Sequence, residues 1–183
     1  MSDLYVLDNF HAYPEEVREH ALSAEYVDWL GPDGQVYKRI CITELPLVEH
    51  MLTDMFGEVQ ILGMGYRLNF NQEPPNAAIH SDLGWGTHAL VWYLSDGPSG
   101  TAFWRHKVTG RDRILPGDQE LFEKVCNDWN DESAWEMIHK VDMKFNRALV
   151  YKSALFHSRH PFEAFGTSPE TGRLIGVAFF NMR

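Results

Sequence analysis

Ala78-Ile79-His80-Ser81-Asp82 is a short extended segment that carries an imidazole and a carboxylate two residues apart. On a strand, residues i and i+2 point to one face, so His80 and Asp82 can close on a single metal ion as adjacent ligands. Taken alone the pattern is weak. In a chain with 9 His, an H-x-D tripeptide arises by chance about as often as not, and a polar strand end in water explains it as well. Its surroundings give it meaning. Residues 66–71, 78–82, 88–94, 101–106, 148–152 and 174–181 read as a series of short strands. Turn chemistry separates them at Glu73-Pro74-Pro75-Asn76, at Ser95-Asp96-Gly97-Pro98-Ser99-Gly100 and at Thr167-Ser168-Pro169-Glu170.

Upstream of this series the texture is mixed. Pro14-Glu15-Glu16 opens a helix over 14–22, since proline and acidic residues suit a first helical turn. A second helix spans 46–57, with Leu47, Met51, Leu52 and Met55 at helical spacing and Gly57 as its stop. Gly31-Pro32-Asp33-Gly34 lies between them as a turn. Within the strand series, roughly 118–140 reads as a helical insertion with seven acidic residues against two lysines. The fold class is mainly β with flanking helices (α+β): an antiparallel barrel or sandwich with helices packed outside. At 183 residues we expect one domain over 1–183, with a helical buttress over about 1–60, a barrel over about 65–181 and the insertion over about 118–140.

Composition narrows the function. Hydrophobic residues make up 44% of the chain, enough for a real core, and aromatics reach 13% with 6 Trp, which suggests a lined pocket besides. The net charge of −10 disfavours a general nucleic-acid or acidic-membrane binder, although half of it sits on the insertion. Cys41 and Cys126 are too few for a disulfide framework and lack C-x-x-C spacing. No apolar run reaches membrane-spanning length, and Met1-Ser2-Asp3-Leu4-Tyr5-Val6-Leu7-Asp8 does not read as a signal peptide. The expectation is a soluble, reduced, cytoplasmic protein that binds no membrane and has an open oligomeric state.

Phosphate-loop, dinucleotide, serine-hydrolase and zincin motifs are all missing. Two further groups remain. In Leu155-Phe156-His157-Ser158-Arg159-His160 two imidazoles lie three apart, so on a strand only one of them can join His80 and Asp82. Two imidazoles and one carboxylate leave open positions on a metal, which suits non-haem Fe(II). In Gly172-Arg173-Leu174-Ile175-Gly176-Val177-Ala178-Phe179 an arginine opens an apolar strand. A guanidinium on such a face needs an acceptor, and a ligand carboxylate held by two parallel bonds is a natural one.

The order is H-x-D, then Val91-Trp92-Tyr93-Leu94, then Ser99-Gly100-Thr101-Ala102-Phe103-Trp104, then His157, then Arg173. It resembles the Fe(II)- and 2-oxoglutarate-dependent dioxygenases, in particular the small prolyl-4-hydroxylase-like branch, over residues 66–181. The resemblance implies a double-stranded β-helix, the jelly-roll or cupin-like barrel, with His80, Asp82 and His157 as metal ligands. It implies Tyr93 as a donor to the far carboxylate of 2-oxoglutarate, Arg173 as the salt-bridge partner of that carboxylate, and Asn69 (or Asn71) as a further co-substrate residue. The implied cofactors are Fe(II), 2-oxoglutarate and O2. The implied reaction hydroxylates a C–H bond of a peptide side chain or small molecule and releases succinate and CO2. Relatives that halogenate carry a small residue in place of the carboxylate, so Asp82 argues against halogenation. Two departures matter. Sixteen residues separate His157 from Arg173, more than in many members, which makes Arg159 a rival partner for the co-substrate. The insertion is also large.

Two other readings compete. One is a cupin-like barrel that binds a divalent metal through His80, Asp82 and His88 without redox chemistry. The other is nucleic-acid base oxidation, with Arg105, Lys107, Arg111 and Arg113 as a basic cluster and Trp85, Trp92 and Trp104 as stacking rings. In the hydroxylase reading those three tryptophans build a water-excluding mouth over the iron, with the acidic insertion beside it.

Overall fold

Alternation along the strands builds two antiparallel sheets that face each other. The computed structural model describes residues 3–31, 36–71 and 78–183. The first half contains β1 (Leu4–Leu7), α1 (Pro14–Ser23), β2 (Val27–Leu30), β3 (Val36–Ile42), α2 (Val48–Phe56) and β4 (Val59–Asn69). A 3-10 turn (Leu83–Trp85), β5 (His88–Tyr93), β6 (Gly100–His106) and α3 (Gln119–Asp128) follow. The chain ends with β7 (Trp135–Asp142), β8 (Ala148–Lys152), β9 (His157–Arg159) and β10 (Arg173–Met182). The large sheet has the order β1-β8-β5-β10-β4-β3-β2, and the small sheet β7-β6-β9. This is a jelly-roll, cupin-like barrel with flanking helices.

The period of two assigns each strand's side chains to opposite faces. On the inner faces Ala89, Val91, Tyr93, Leu149, Tyr151 and Ile175 of the large sheet meet Phe103 and Val141 of the small one. On the outer face of the large sheet, Val17 and Ala21 of α1 and Val48 and Leu52 of α2 cover Tyr66, Leu68, Leu90, Trp92 and Phe180. Helix α1 starts at the predicted Pro14 and runs one residue past the predicted end, whereas α2 begins two residues after the predicted Pro46, with Leu47 as its left-handed N-cap. Gly57 ends α2 at φ 84, with its N–H donating to the Thr53 carbonyl at 2.9 Å, a left-handed stop that suits glycine. A third cluster places Val125 of α3 on Trp104, Trp135, Ile114 and Phe156, over the outer face of the small sheet. Fully burying each such large apolar side chain contributes on the order of 1.5–3 kcal/mol.

Four expectations change. The first sixty residues are not only a helical buttress: β1 pairs with β8, and β3 pairs with β4 and carries β2 at the sheet's edge. Those strands mix polar and apolar residues because one face is wet, so they lack a strong apolar run. The expected insertion over 118–140 is helical only to Asp128, and Trp135–Asp142 is a strand zipped to β6. Val141 anchors that strand to the inner core and Trp135 to the cluster under α3, while residues 136–139 between them are exposed. Residues 78–82 form no ladder strand, only an isolated bridge between His80 and His157. Finally, α3 lies on the back of the small sheet and not beside the inner face. Most of the expected Gly31–Gly34 turn and all of the Glu73–Asn76 turn fall outside the described residues. No helix is long and apolar enough to cross a membrane among the described residues.

Candidate metal centre

His80 and His157 are cross-strand neighbours. The His80 N–H donates to the His157 carbonyl at 3.0 Å and the His157 N–H to the His80 carbonyl at 2.8 Å. Their rings therefore stand side by side, 4.5 Å between centres. The Asp82 N–H donates to the Ser153 carbonyl at 2.8 Å, which pins the carboxylate beside both rings. Asp82 Oδ1 lies 3.4 Å from His80 Nε2, and Asp82 Oδ2 lies 3.1 Å from His157 Nε2. One donor atom from each of the three residues falls within 4.8 Å of the others.

The second ring nitrogens decide what this triad can hold. His80 Nδ1 meets the Ala78 carbonyl at 2.7 Å and His157 Nδ1 meets the Leu155 carbonyl at 3.0 Å. A carbonyl only accepts, so each Nδ1 carries a proton, and each Nε2 is the ring nitrogen aimed at Asp82. Backbone-oriented imidazoles of this kind are the usual support of metal-ligating histidines. Burial by itself would raise the Asp82 carboxyl, but His157 and then His80 hold it well below the usual carboxylate range. Once each Nε2 gives up its proton to make room for a metal, the site offers two imidazole nitrogens and one carboxylate to a divalent ion. It opens on one side: the His80 side chain is 44% exposed, against 12% for Asp82 and 7% for His157.

Deeper in the barrel a second set of polar groups converges. Arg173 opens β10 opposite Asn69 of β4, and both side chains are buried. Arg173 Nη1 donates to Asn69 Oδ1 at 3.5 Å, while Arg173 Nε is buried without a hydrogen-bond partner. Burial depresses the guanidinium to about 10, which the nearby Tyr93 opposes. Tyr93 lies on the inner face of β5, with its hydroxyl 2.8 Å from Thr101 Oγ1 and its ring 5.7 Å from the Arg173 guanidinium carbon. All six residues singled out from the sequence (His80, Asp82, His157, Arg173, Tyr93 and Asn69) thus face one interior.

Tyr151 joins them, and the sequence reading missed it. Its ring packs edge-on against His157 at 4.8 Å. Burial holds its hydroxyl well above the ordinary phenol range, and its electrostatic neighbours are Asp82, Tyr93 and Arg173. The only available signal was its place on an alternating strand, where Leu149 and Tyr151 face inward.

The rival residues fall elsewhere. His160 packs on Trp104 and Phe162, away from the triad. His88 stacks on Phe180 on the helix-covered face and is not in the metal cluster found among the described residues. Arg159 donates to the Phe162 carbonyl, although its charge is felt at Arg173. Two of the three expected mouth tryptophans point outward. Tyr93 faces in, so Trp92 faces out, where its Nε1 donates to Asn146 Oδ1 at 3.2 Å. Trp104 lies under α3 and donates to Ser158 Oγ at 2.9 Å. The basic cluster is paired: Arg105 with Glu136, Arg111 with Asp118, and Arg113 with Asp3 and Asp112. A groove of about 770 Å³ between Ile42, Glu44, Leu47, His50 and Leu62 holds none of the triad.

A family model described as a family of unknown function, DUF6445, matches residues 67–180. The chain belongs to the DUF6445 family. The match spans the triad, Tyr93, Tyr151 and Arg173, so these residues lie within the region that defines this DUF6445 member. No curated protein matches the sequence. Among solved structures, SnoN is described as a non-heme α-ketoglutarate-dependent epimerase from nogalamycin biosynthesis. It is 15% identical at a TM-score of 0.60, over 97% of this chain and 76% of its own. HygX from Streptomyces hygroscopicus, solved with nickel and 2-oxoglutarate, is 14% identical at a TM-score of 0.53, over 98% of this chain and 82% of its own. EctD from S. alaskensis, solved with bound Fe, is 13% identical at a TM-score of 0.53, over 98% of this chain and 72% of its own. At these identities the likeness establishes a shared barrel for the DUF6445 chain.

Proposed function

We propose that this chain is a non-haem Fe(II)- and 2-oxoglutarate-dependent oxygenase that hydroxylates a C–H bond of a small molecule or peptide side chain. One observation carries the reading: a two-histidine, one-carboxylate face and a buried guanidinium share a single barrel interior. A divalent-metal barrel without a co-substrate would leave Arg173 as an uncompensated buried charge, which is costly. The donor set suits Fe(II), because three protein ligands leave positions open for a chelating co-substrate and oxygen.

His80, Asp82 and His157 would hold the metal. Bound together, Fe(II), 2-oxoglutarate and O2 supply the oxidising chemistry, in which the substrate C–H becomes C–OH and 2-oxoglutarate leaves as succinate and CO2. The rest of the work belongs to the chain's own residues. Arg173 would take the far carboxylate of 2-oxoglutarate through two parallel N–H bonds, with Asn69 orienting its fork. Tyr93 would donate its hydroxyl proton to the same carboxylate, and Thr101 would position that hydroxyl. Tyr151 would close the wall between the triad and Arg173. Its high phenol pKa keeps it a hydrogen-bond donor and not an anion beside Asp82. The inner apolar set of Val91, Phe103, Leu149 and Ile175 would exclude water from this space. The exposed side of His80 is where a substrate would enter.

The test is a thermal melt followed by an activity assay. With Mn(II) in place of iron, 2-oxoglutarate should raise the melting temperature, and it should do so only when metal is present. With Fe(II) in air, the protein should form succinate slowly without substrate and faster with the right one. A metal-dependent shift with no further effect of 2-oxoglutarate would overturn the reading in favour of a metal-binding barrel without redox chemistry.

A further inference from the structure

Strand β4 outruns the strand beside it. It pairs with β10 from Val59 to Asn69. On its other side β3 ends at Ile42, opposite Gly65. One more bond, from the Thr43 N–H to the Met64 carbonyl at 3.3 Å, closes that ladder, and the chain turns away through Pro46 into α2. Among the described residues, 59–63 therefore have no strand on that side. Backbone N–H and C=O groups of a strand point alternately to its two neighbours, so this length of β4 presents a free edge. Natural sheets blunt such edges with lysine, proline, bulges or a cover. Val59-Gln60-Ile61-Leu62-Gly63 carries no charge and no proline, and a bulge at Leu62 is its one interruption.

The groove of about 770 Å³ lies at this edge. Its walls are the end of β3, the start of α2 and residues 61–64 of β4. Three apolar side chains in it are left in water: Ile42 is 65% exposed, Leu47 57% and Leu62 48%. Gly63 keeps the floor open, since nothing lies within 4 Å of where its side chain would start. Leu47 also sits at φ 59, a left-handed conformation that a branched residue adopts at a cost. Burial of its side chain does not offset that cost. The lining holds Glu44 and Glu49 and no lysine or arginine. Its imidazole, His50, lies 3.4 Å from the Asp54 carboxylate. In a chain of net charge −10 such a lining attracts cations.

We propose that this groove docks an extended segment of a partner protein in which apolar side chains alternate with lysine or arginine. The segment takes the place that a longer β3 would fill. Its backbone bonds to the free edge of β4, its apolar side chains meet Ile42, Leu47 and Leu62, and its cations reach Glu44 and Glu49. In strand addition of this kind, main-chain bonds supply affinity and alternate side chains supply specificity. A helical partner would satisfy its own backbone and leave the β4 edge unpaired. An acidic segment would meet like charge. The proposal is independent of the metal reading, because the groove holds none of the triad.

Three fluorescein-labelled octapeptides test it against the full chain by anisotropy: alternating valine and lysine, alternating valine and glutamate, and the valine–lysine peptide with its two central residues replaced by proline. We expect the valine–lysine peptide to bind at least about tenfold more tightly than either of the others, from paired charges in one comparison and main-chain pairing in the other. Its binding should slow backbone hydrogen exchange at residues 59–63. Glu44→Lys combined with Glu49→Lys should invert the charge preference. Leu47→Asn places a residue that tolerates the left-handed conformation, so the melting temperature should hold while valine–lysine binding weakens by at least about fivefold. Equal binding of the three peptides, an unchanged preference in the double variant, or exchange at 59–63 that does not slow would each overturn the proposal. A concentration-dependent dimer in sedimentation that Leu47→Asn dissolves would also overturn it and give the groove to a second copy of this chain.

Discussion

Replacing Arg173 by methionine should stabilise the ligand-free protein and abolish its response to 2-oxoglutarate. The guanidinium is buried, its Nε lacks a partner, and burial depresses it to about 10. That displacement corresponds to roughly 3 kcal/mol charged against the fold at neutral pH. The folded value lies below the unfolded one, so the cost is present at every pH below about 10 and lifts only above it. Methionine removes the charge and leaves a small void, which costs about 1 kcal/mol. The net gain is about 1–2 kcal/mol, or roughly 2–8 °C in a domain of this size. With co-substrate the sign reverses. Wild-type protein with Mn(II) and 2-oxoglutarate at a hundred times its dissociation constant gains about 2.7 kcal/mol. Losing one partner of a buried carboxylate pair costs about 2–5 kcal/mol, so the apparent 2-oxoglutarate constant should rise from about thirtyfold to several thousandfold. Arg173→Lys keeps the charge but not the fork and should fall between the two. Differential scanning fluorimetry of the three proteins, with and without 2-oxoglutarate, reads both effects. An undiminished 2-oxoglutarate shift in Arg173→Met would refute this reasoning and move the role to Arg159.

Asp82→Ala and His157→Ala should each weaken Mn(II) binding by at least about a hundredfold in calorimetry, since each removes a direct ligand from a three-residue site. Tyr151→Phe removes one hydroxyl between the triad and Arg173; the apparent 2-oxoglutarate constant should rise about five- to tenfold while Mn(II) affinity stays unchanged, as expected for one lost hydrogen bond. Asn146→Ala should leave both constants alone and cost about 2–4 kcal/mol in urea unfolding. Asn146 Oδ1 accepts from the His11 N–H at 2.9 Å and from Trp92 Nε1 at 3.2 Å, and its Nδ2 donates to the His11 carbonyl at 2.8 Å, so alanine strands buried polar groups. Single-stranded DNA should show no sub-micromolar binding that weakens steeply with salt, because Arg105, Arg111 and Arg113 are already matched by carboxylates.

What could be read from the sequence follows which signals are local. Helices α1 and α2, signalled by Pro14 and Gly57, and the apolar strands β5, β6, β8 and β10 carry their own punctuation, and each lies within two residues of where residue patterns place it. Strands β1, β2, β3 and β7 do not, because they are half-wet, and β1, β3 and β7 depend on pairing with strands distant in the chain. Leu4–Leu7 is extended because Ala148–Tyr151 lies beside it. Trp135–Asp142 reads as the tail of an acidic helix until β6 pairs with it. The same limit explains His80-Ser81-Asp82. Its two side chains do face one point, but they are held there by His157 and Ser153 and not by a ladder of its own.

The site divides along the same line. His80, Asp82, His157, Tyr93 and Arg173 could be singled out because each is a chemically unusual residue for its position, such as an arginine on an apolar strand. Tyr151 could not, since aromatic residues on strands most often belong to the core. Parity separates the two cases once the register is known. With Tyr93 inward, Trp92 must be outward under α1 and α2. With Phe103 inward, Trp104 goes under α3. Two of the three tryptophans that sequence proximity assigns to the mouth, Trp92 and Trp104, are therefore structural, whereas Trp85 stacks on Phe179 of the inner face, and the rings beside His157 are Phe103 and Tyr151.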